Sequence, residues 1–215
     1  MIQKPVALYA ACFLSFTGVF ALSGESDQPS AAPITLNEVL DHAVELDDSN
    51  PYEEALLRPR RMKPLPPEKI DSETLWLARA IFSETKRPEE QLLVAWVIRN
   101  RVDTRFRGRS TYRDVVLDPY QFSAFLPEQQ KRAFYVGLSP KSSVPGWKTA
   151  LQIADHVRNS PPEERPFSPD TRHFYSERSM VNRIAPQWAE GLEPVEHNRP
   201  FRVDEQRFRF FSGVV

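Results

Sequence analysis

The sequence predicts a mainly α domain with a small β element (α+β), preceded by an N-terminal apolar segment and a stalk. Three observations carry this. Leu77, Ala80, Ile81 and Glu84 fall on one stripe at about 100° per residue. Leu92 to Ile98 is apolar on every side of a helix. Arg172 to Ser176 is a short stretch that alternates as a strand does. The 215 residues make one domain of ordinary size plus extras, and 20 prolines beside 7 glycines predict sharply ended helices and few phosphate-cradling loops.

The first elements concern address. Pro5 to Gly24 contains no charge; Val6 to Leu22 is the apolar run, and Ala21-Leu22-Ser23 reads as a small-x-small cleavage site. The run is long for a signal peptide and just short of the roughly 20 residues that span a bilayer. Residues 1–23 are therefore read as a cleaved export signal or a retained anchor that attaches the chain through residues 5–23. Either way the mature chain is expected outside the cytoplasm, in the periplasm or cell envelope. Residues 24–70 hold 10 acids against 5 bases and close on Pro64-Leu65-Pro66-Pro67. They read as an acidic, Pro-rich stalk, in which Leu36–Leu46 and Tyr52–Leu57 could form short helices.

Residues 71–215 form the expected globular unit. Asp71 or Ser72 suits an N-cap, with Glu73 in the first turn and the helix running to about Lys86. Arg79 and Lys86 fall on the face opposite the stripe and are expected in solvent. Glu84 extends the buried stripe, where an unpaired carboxylate is costly. Such a group either finds a cation or keeps its proton near pH 7, as a general acid must. Pro88 opens a second helix, with Glu89 and Glu90 in its first turn. Asn100 on this central helix is expected to cross-brace its neighbours. Arg99, Arg101, Arg105, Arg107, Arg109 and Arg113 read as an ion-paired rim or an anion-binding patch. A further helix opens at Trp147, which with Ala150, Leu151 and Ala154 reads as core.

The ordered residues resemble a known family. Leu77-Ala78-Arg79-Ala80-Ile81-Phe82-Ser83-Glu84, then Val97-Ile98-Arg99-Asn100-Arg101-Val102, look like the SleB-like cell-wall hydrolases, the spore-cortex-lytic enzymes and their relatives. Gln121-Phe122-Ser123, His173-Phe174-Tyr175, Pro186-x-Trp188-Ala189 and Phe208-Arg209-Phe210-Phe211 follow in the family's order. The resemblance covers residues 71–215. It implies a lysozyme-like, lytic-transglycosylase-like helical fold and cleavage of the MurNAc–GlcNAc bond of peptidoglycan by one glutamate, which falls on Glu84. One departure stands beside the acid: Ser83 precedes Glu84, and Thr85-Lys86-Arg87-Pro88 follows without the family's glycine.

For that chemistry Glu84 would protonate the leaving oxygen. A lytic transglycosylase reuses the same carboxylate as base and makes a 1,6-anhydro product; a hydrolase (muramidase) needs a second carboxylate, for which Asp114, Asp118, Asp170 and Glu177 are available. The resemblance favours the one-carboxylate route. Gln121, Phe122 and Ser123 offer an amide, a ring and a hydroxyl to a sugar, with Phe122 equally suited to the core; Tyr175 could hydrogen-bond the sugar while Phe174 packs inward. Trp188 suits a glycan ring or the core, and His173 reads as structural. No cofactor is expected. His42, His156, His173 and His197 are scattered, which argues against a metal site. Cys12 lies in the export segment and no G-x-S-x-G elbow occurs, so nucleophilic proteases lack support. A net charge of −1 gives no case for nucleic acid. The expected partner is the glycan strand of peptidoglycan, with room for a regulatory envelope protein. The rival reading is a non-catalytic envelope protein that binds peptidoglycan or scaffolds an assembly on an inactivated hydrolase fold.

Overall fold

The computed structural model describes residues 51–58 and 63–214. The apolar segment 1–23 and the expected helix Leu36–Leu46 lie outside the described residues. Six helices follow in order: α1 (Pro51–Leu57), α2 (Ser72–Glu84), α3 (Pro88–Asp103), α4 (Tyr112–Val116), α5 (Arg132–Gly137) and α6 (Trp147–Asn159). Two strands, β1 (Thr171–Tyr175) and β2 (Arg209–Ser212), pair antiparallel. The fold is mainly helical, as the periodicity predicts. Among the described residues no helix is long and apolar enough to cross a membrane.

Helix α3 is the centre. Pro88 occupies its first turn, and Leu92 through Ile98 are all fully buried. It packs against α2, α4, α6 and β1. A helix covered on all sides must also satisfy the polar residues it carries inward. Asn100 does so from its last turn: its Nδ2 donates to the carbonyls of Ser168 and Thr171 at 3.1 and 3.0 Å, and its Oδ1 accepts from Arg165 Nε at 2.9 Å. This is the expected cross-brace, and it fixes the chain entering β1.

Helix α2 is capped by Asp71, whose Oδ1 accepts from Thr74 N at 2.8 Å. It buries Leu77, Ala80 and Ile81 as predicted, and also Trp76, Ala78 and Phe82. It stops at Glu84, two residues early, because Thr85 is extended (φ −152°, ψ 162°) and Pro88 disfavours helix at Arg87. Arg79 is half-buried rather than solvated. Its Nε and Nη2 donate to the Leu138 carbonyl at 3.1 and 2.8 Å, and its guanidinium lies 4.7 Å from the centre of the Trp76 ring. Helix α6 starts as expected at Trp147, a buried side chain whose Nε1 donates to Ser139 O at 2.7 Å. Gly146 turns the chain into it at φ +79°, a conformation that suits glycine.

Strand β1 divides its side chains by face. Phe174 packs inward against Phe122, Phe208 and Phe210. His173 and Tyr175 meet Trp188 on the other face, where Tyr175 stacks on Phe211 in a second small core.

The described part of the expected stalk does not stand apart. Leu56 on α1 is fully buried in the main core, Glu53 lies 3.2 Å from Arg199, and Gln152 Nε2 donates to Lys63 O at 2.7 Å. The packed unit thus includes residues before Asp71, because a short segment carrying one well-placed leucine suffices to dock on α3 and α6. Leu56→Ala is expected to destabilise the protein by about 2–5 kcal/mol in urea denaturation, as for other buried leucines; a change below about 0.5 kcal/mol would return α1 to the stalk.

Candidate active site

Glu84 ends α2, one turn beyond the buried Ile81 and on the same stripe. Protein surrounds its carboxyl group closely, while part of the residue still meets solvent. Among the described residues, no hydrogen bond and no ion pair within 4.0 Å engages that carboxyl group. Burial pushes its pKa up to about 7, against the opposing pull of Arg101 and Lys86. A carboxyl group in this state holds a proton in neutral water and has a conjugate base that nearby cations stabilise.

The turn after Glu84 is held by side chains from α3. Thr85 is buried; its hydroxyl bonds Glu90 Oε2, and its carbonyl accepts from Gln91 Nε2 at 2.8 Å. Glu90 is itself buried and takes a two-pronged pair from Arg207, with Nε 2.6 Å from Oε1 and Nη2 3.1 Å from Oε2. The glycine-free turn therefore has its own clamp, tied both to α3 and to the C-terminal segment. Lys86 folds back so that its Nζ bonds the Phe82 carbonyl and sits 3.6 Å from the centre of the Phe82 ring. Lys86 is exposed, as expected, and still lies close enough to Glu84 for each to influence the other's charge.

Arg101 is the neighbour of Glu84 that the sequence reading did not single out. It is buried, with Nε donating to Arg172 O at 2.7 Å and its guanidinium 5.4 and 5.7 Å from the Phe122 and Phe106 ring centres. Its Nη1 is buried without a hydrogen-bond partner. Burial brings its pKa down to about 10, with Glu84 and Asp118 pulling the other way, so it stays cationic at neutral pH. The signal was present: Arg101 lies four residues beyond Val97 and three beyond Ile98, both buried. Reading the six arginines as one rim hid it. Arg99 is buried as well, donating from Nη1 to Val157 O and Ser160 O, both at 2.6 Å. The exposed Arg107 and Arg109 do make ion pairs, with Asp118 at 2.7 and 2.9 Å.

The expected substrate-binding residues separate. Phe122 is core, with its ring against Phe174 and under Arg101. Gln121 is half-buried and Ser123 exposed, in the loop that leads to the Ser123–Phe125 turn. Tyr175 is buried in the Phe211 cluster, and no recorded contact or charge interaction joins it to Glu84. On α5, Tyr135 feels the Glu84 charge and lies 5.6 Å from Lys86 Nζ. No carboxylate is among the groups acting on Glu84. Of the four candidates, Asp118 is buried and clamped by two arginines, Glu177 pairs with Arg209 at 2.9 Å, and Asp114 and Asp170 are exposed. His173 is driven down to about 4 by burial and by Arg101 and Arg172, so it is neutral at pH 7. Among the described residues no group of three or more His, Cys, Asp or Glu is placed to hold a metal ion. No family model, curated protein or solved structure matches the chain.

Two outcomes follow from the raised acid. An unfolded Glu84 titrates near its ordinary 4.5, the folded one near 7. Below about pH 4.5 both states hold the proton and the penalty is absent; it grows with pH and is complete above about pH 7, where it is worth roughly 3 kcal/mol at most. Glu84→Gln should therefore raise Tm at pH 8 and leave it unchanged at pH 4. Lys86→Met removes a cation that favours the carboxylate, so carbon-13 NMR titration of Glu84 should give a midpoint above the wild-type one; an unchanged or lower midpoint contradicts the pairing.

Proposed function

We propose that residues 71–215 form a SleB-like, lysozyme-like cell-wall hydrolase domain, resting on the helices before Asp71, that cleaves the MurNAc–GlcNAc bond of peptidoglycan. Glu84 is the proton donor. The observation that carries this reading is the Glu84 carboxyl at the end of α2, part-exposed, without a hydrogen bond among the described residues and with a pKa near 7. Leaving-group protonation at neutral pH requires a carboxyl group of that kind. Arg101 and Lys86 then stabilise the carboxylate that remains once the proton has gone, before it acts as base. Among the described residues the charges acting on Glu84 are those of Arg101 and Lys86, an arrangement that fits the lytic transglycosylase route, in which the muramoyl C6 hydroxyl attacks and a 1,6-anhydro product forms. Such an enzyme works in the periplasm or cell envelope, and the apolar segment 1–23 supplies the export signal or anchor.

Digestion of purified sacculi tests the assignment. Wild type should release soluble anhydro-muropeptides, and Glu84→Gln should lower the rate by about 10²–10⁴-fold, the usual worth of a general acid. Reducing-end products would make the enzyme a hydrolase. Pelleting with sacculi and no product from wild type would leave a peptidoglycan-binding protein. The rate should fall as pH rises through about 7, where Glu84 loses its proton.

A further inference from the structure

Asp118 to Gln121 is a tight turn closed by Gln121 N donating to Asp118 O at 3.2 Å. Pro119 sits at its second position and Tyr120 at its third, with φ +64°. That is the pattern of a type II turn, whose third position favours glycine or asparagine. Tyrosine there carries a conformational cost, and the cost is not repaid by packing: Tyr120 is 86% exposed. A strained backbone that presents a large ring to water points to a use for the ring outside the fold.

The turn is rigidly mounted. The Asp118 carboxylate is buried and held by Arg107 and Arg109, and Phe122 beyond the turn is locked in the core. Tyr120 borders a groove of about 360 Å³ with Pro119, Leu126, Pro127, Glu128 and Arg132 along its sides. That volume suits a small ligand. Two groove residues neighbour groups that interact with Glu84. Arg132 and Tyr135 lie one turn apart on α5, the first on the groove and the second within reach of the Glu84 charge. Phe122 lines the groove and carries Arg101, which acts on Glu84.

We propose that Tyr120 is the stacking platform of a carbohydrate subsite in this groove, binding an N-acetylated pyranose of the glycan strand. The proposal rests on the glycan-cleavage reading for its ligand. A pyranose has an apolar C–H face for the tyrosine ring and a hydroxyl edge for hydrogen-bonding groups, which Glu128 and Arg132 supply on the groove wall. The prolines on either side keep the groove walls apolar and stiff.

The test measures binding without turnover, so that its failure is distinct from failure of the catalytic assignment. Full-length protein carrying Glu84→Gln is titrated calorimetrically with a tetramer of N-acetylglucosamine and pelleted with sacculi, with and without Tyr120→Asn or Tyr120→Trp. Asparagine tolerates the left-handed backbone and lacks the ring. Tyr120→Asn should bind the tetramer about tenfold more weakly with an unchanged or higher Tm, while Tyr120→Trp should stay within about threefold of the parent. The proposal is overturned if Tyr120→Asn binds as its parent does, if its loss of binding comes with a lowered Tm that Tyr120→Trp shares, or if the parent binds neither ligand. Should Glu84→Gln still cleave sacculi, the catalytic assignment fails and the Tyr120 result stands.

Discussion

The structure depends on burying α3 on every side. A helix so enclosed leaves the polar residues of its last turn nowhere to go but inward, where each needs a partner. Arg99, Asn100 and Arg101 answer in three directions. Arg99 ties α6 through two carbonyls, Asn100 fixes the approach to β1, and Arg101 reaches the β1 backbone while its charge faces Glu84. The same turn that holds the fold together thus brings a cation to the acid. A buried guanidinium with one donor unsatisfied is costly on its own. Beside Glu84, it offsets the cost of the negative charge when that carboxyl group ionises.

The first turn of α3 performs the matching task on the other side of Glu84. Glu90 and Gln91 grip Thr85, and Arg207 grips Glu90. A carboxyl group at a helix end, without a hydrogen bond of its own, would otherwise sample many rotamers. Fixing the backbone immediately after it narrows that freedom and leaves the carboxyl oxygens unengaged. The glycine that the resembled family carries in this turn is dispensable here because the turn is cross-linked by side chains instead.

Much of this was legible in the sequence where one periodicity governed one element. The stripe that ends at Glu84, the enclosed run Leu92–Ile98, the core role of Trp147 and the bracing role of Asn100 all follow from a period of 3.6 and the cost of burying polar groups. What escaped was tertiary. Arg99 and Arg101 lie on α3 and are buried, whereas Arg105, Arg107, Arg109 and Arg113 lie beyond its end and are exposed. The helix was expected to reach about Lys86, whereas Thr85 ends it; Lys86 is exposed as expected, but its contact with the Phe82 carbonyl and ring was not foreseen. Leu56 joins the core through packing that no local pattern announces. Tyr175 could face either a ligand or a core from the alternation of β1, and it is Phe211 and Trp188, distant in sequence, that enclose it.

Glycine scarcity links composition to the site. Among the described residues, the chain adopts left-handed backbone at five non-glycine positions, Arg105, Arg107, Tyr120, Asn182 and Arg183. Two of them, Arg107 and Tyr120, lie in segments joined through Asp118, and Arg105 is two residues from the first. Strain of this kind persists only where the surroundings over-determine it, and here a buried carboxylate shared by two arginines does so. Substituting glycine at these turns would relieve the backbone but would remove the side chains that clamp Asp118 and the ring that borders the groove. The chain accepts local strain at Tyr120 on the rim of the groove and at Arg107, which with Asp118 belongs to the charge environment of Arg101 and, through it, of Glu84.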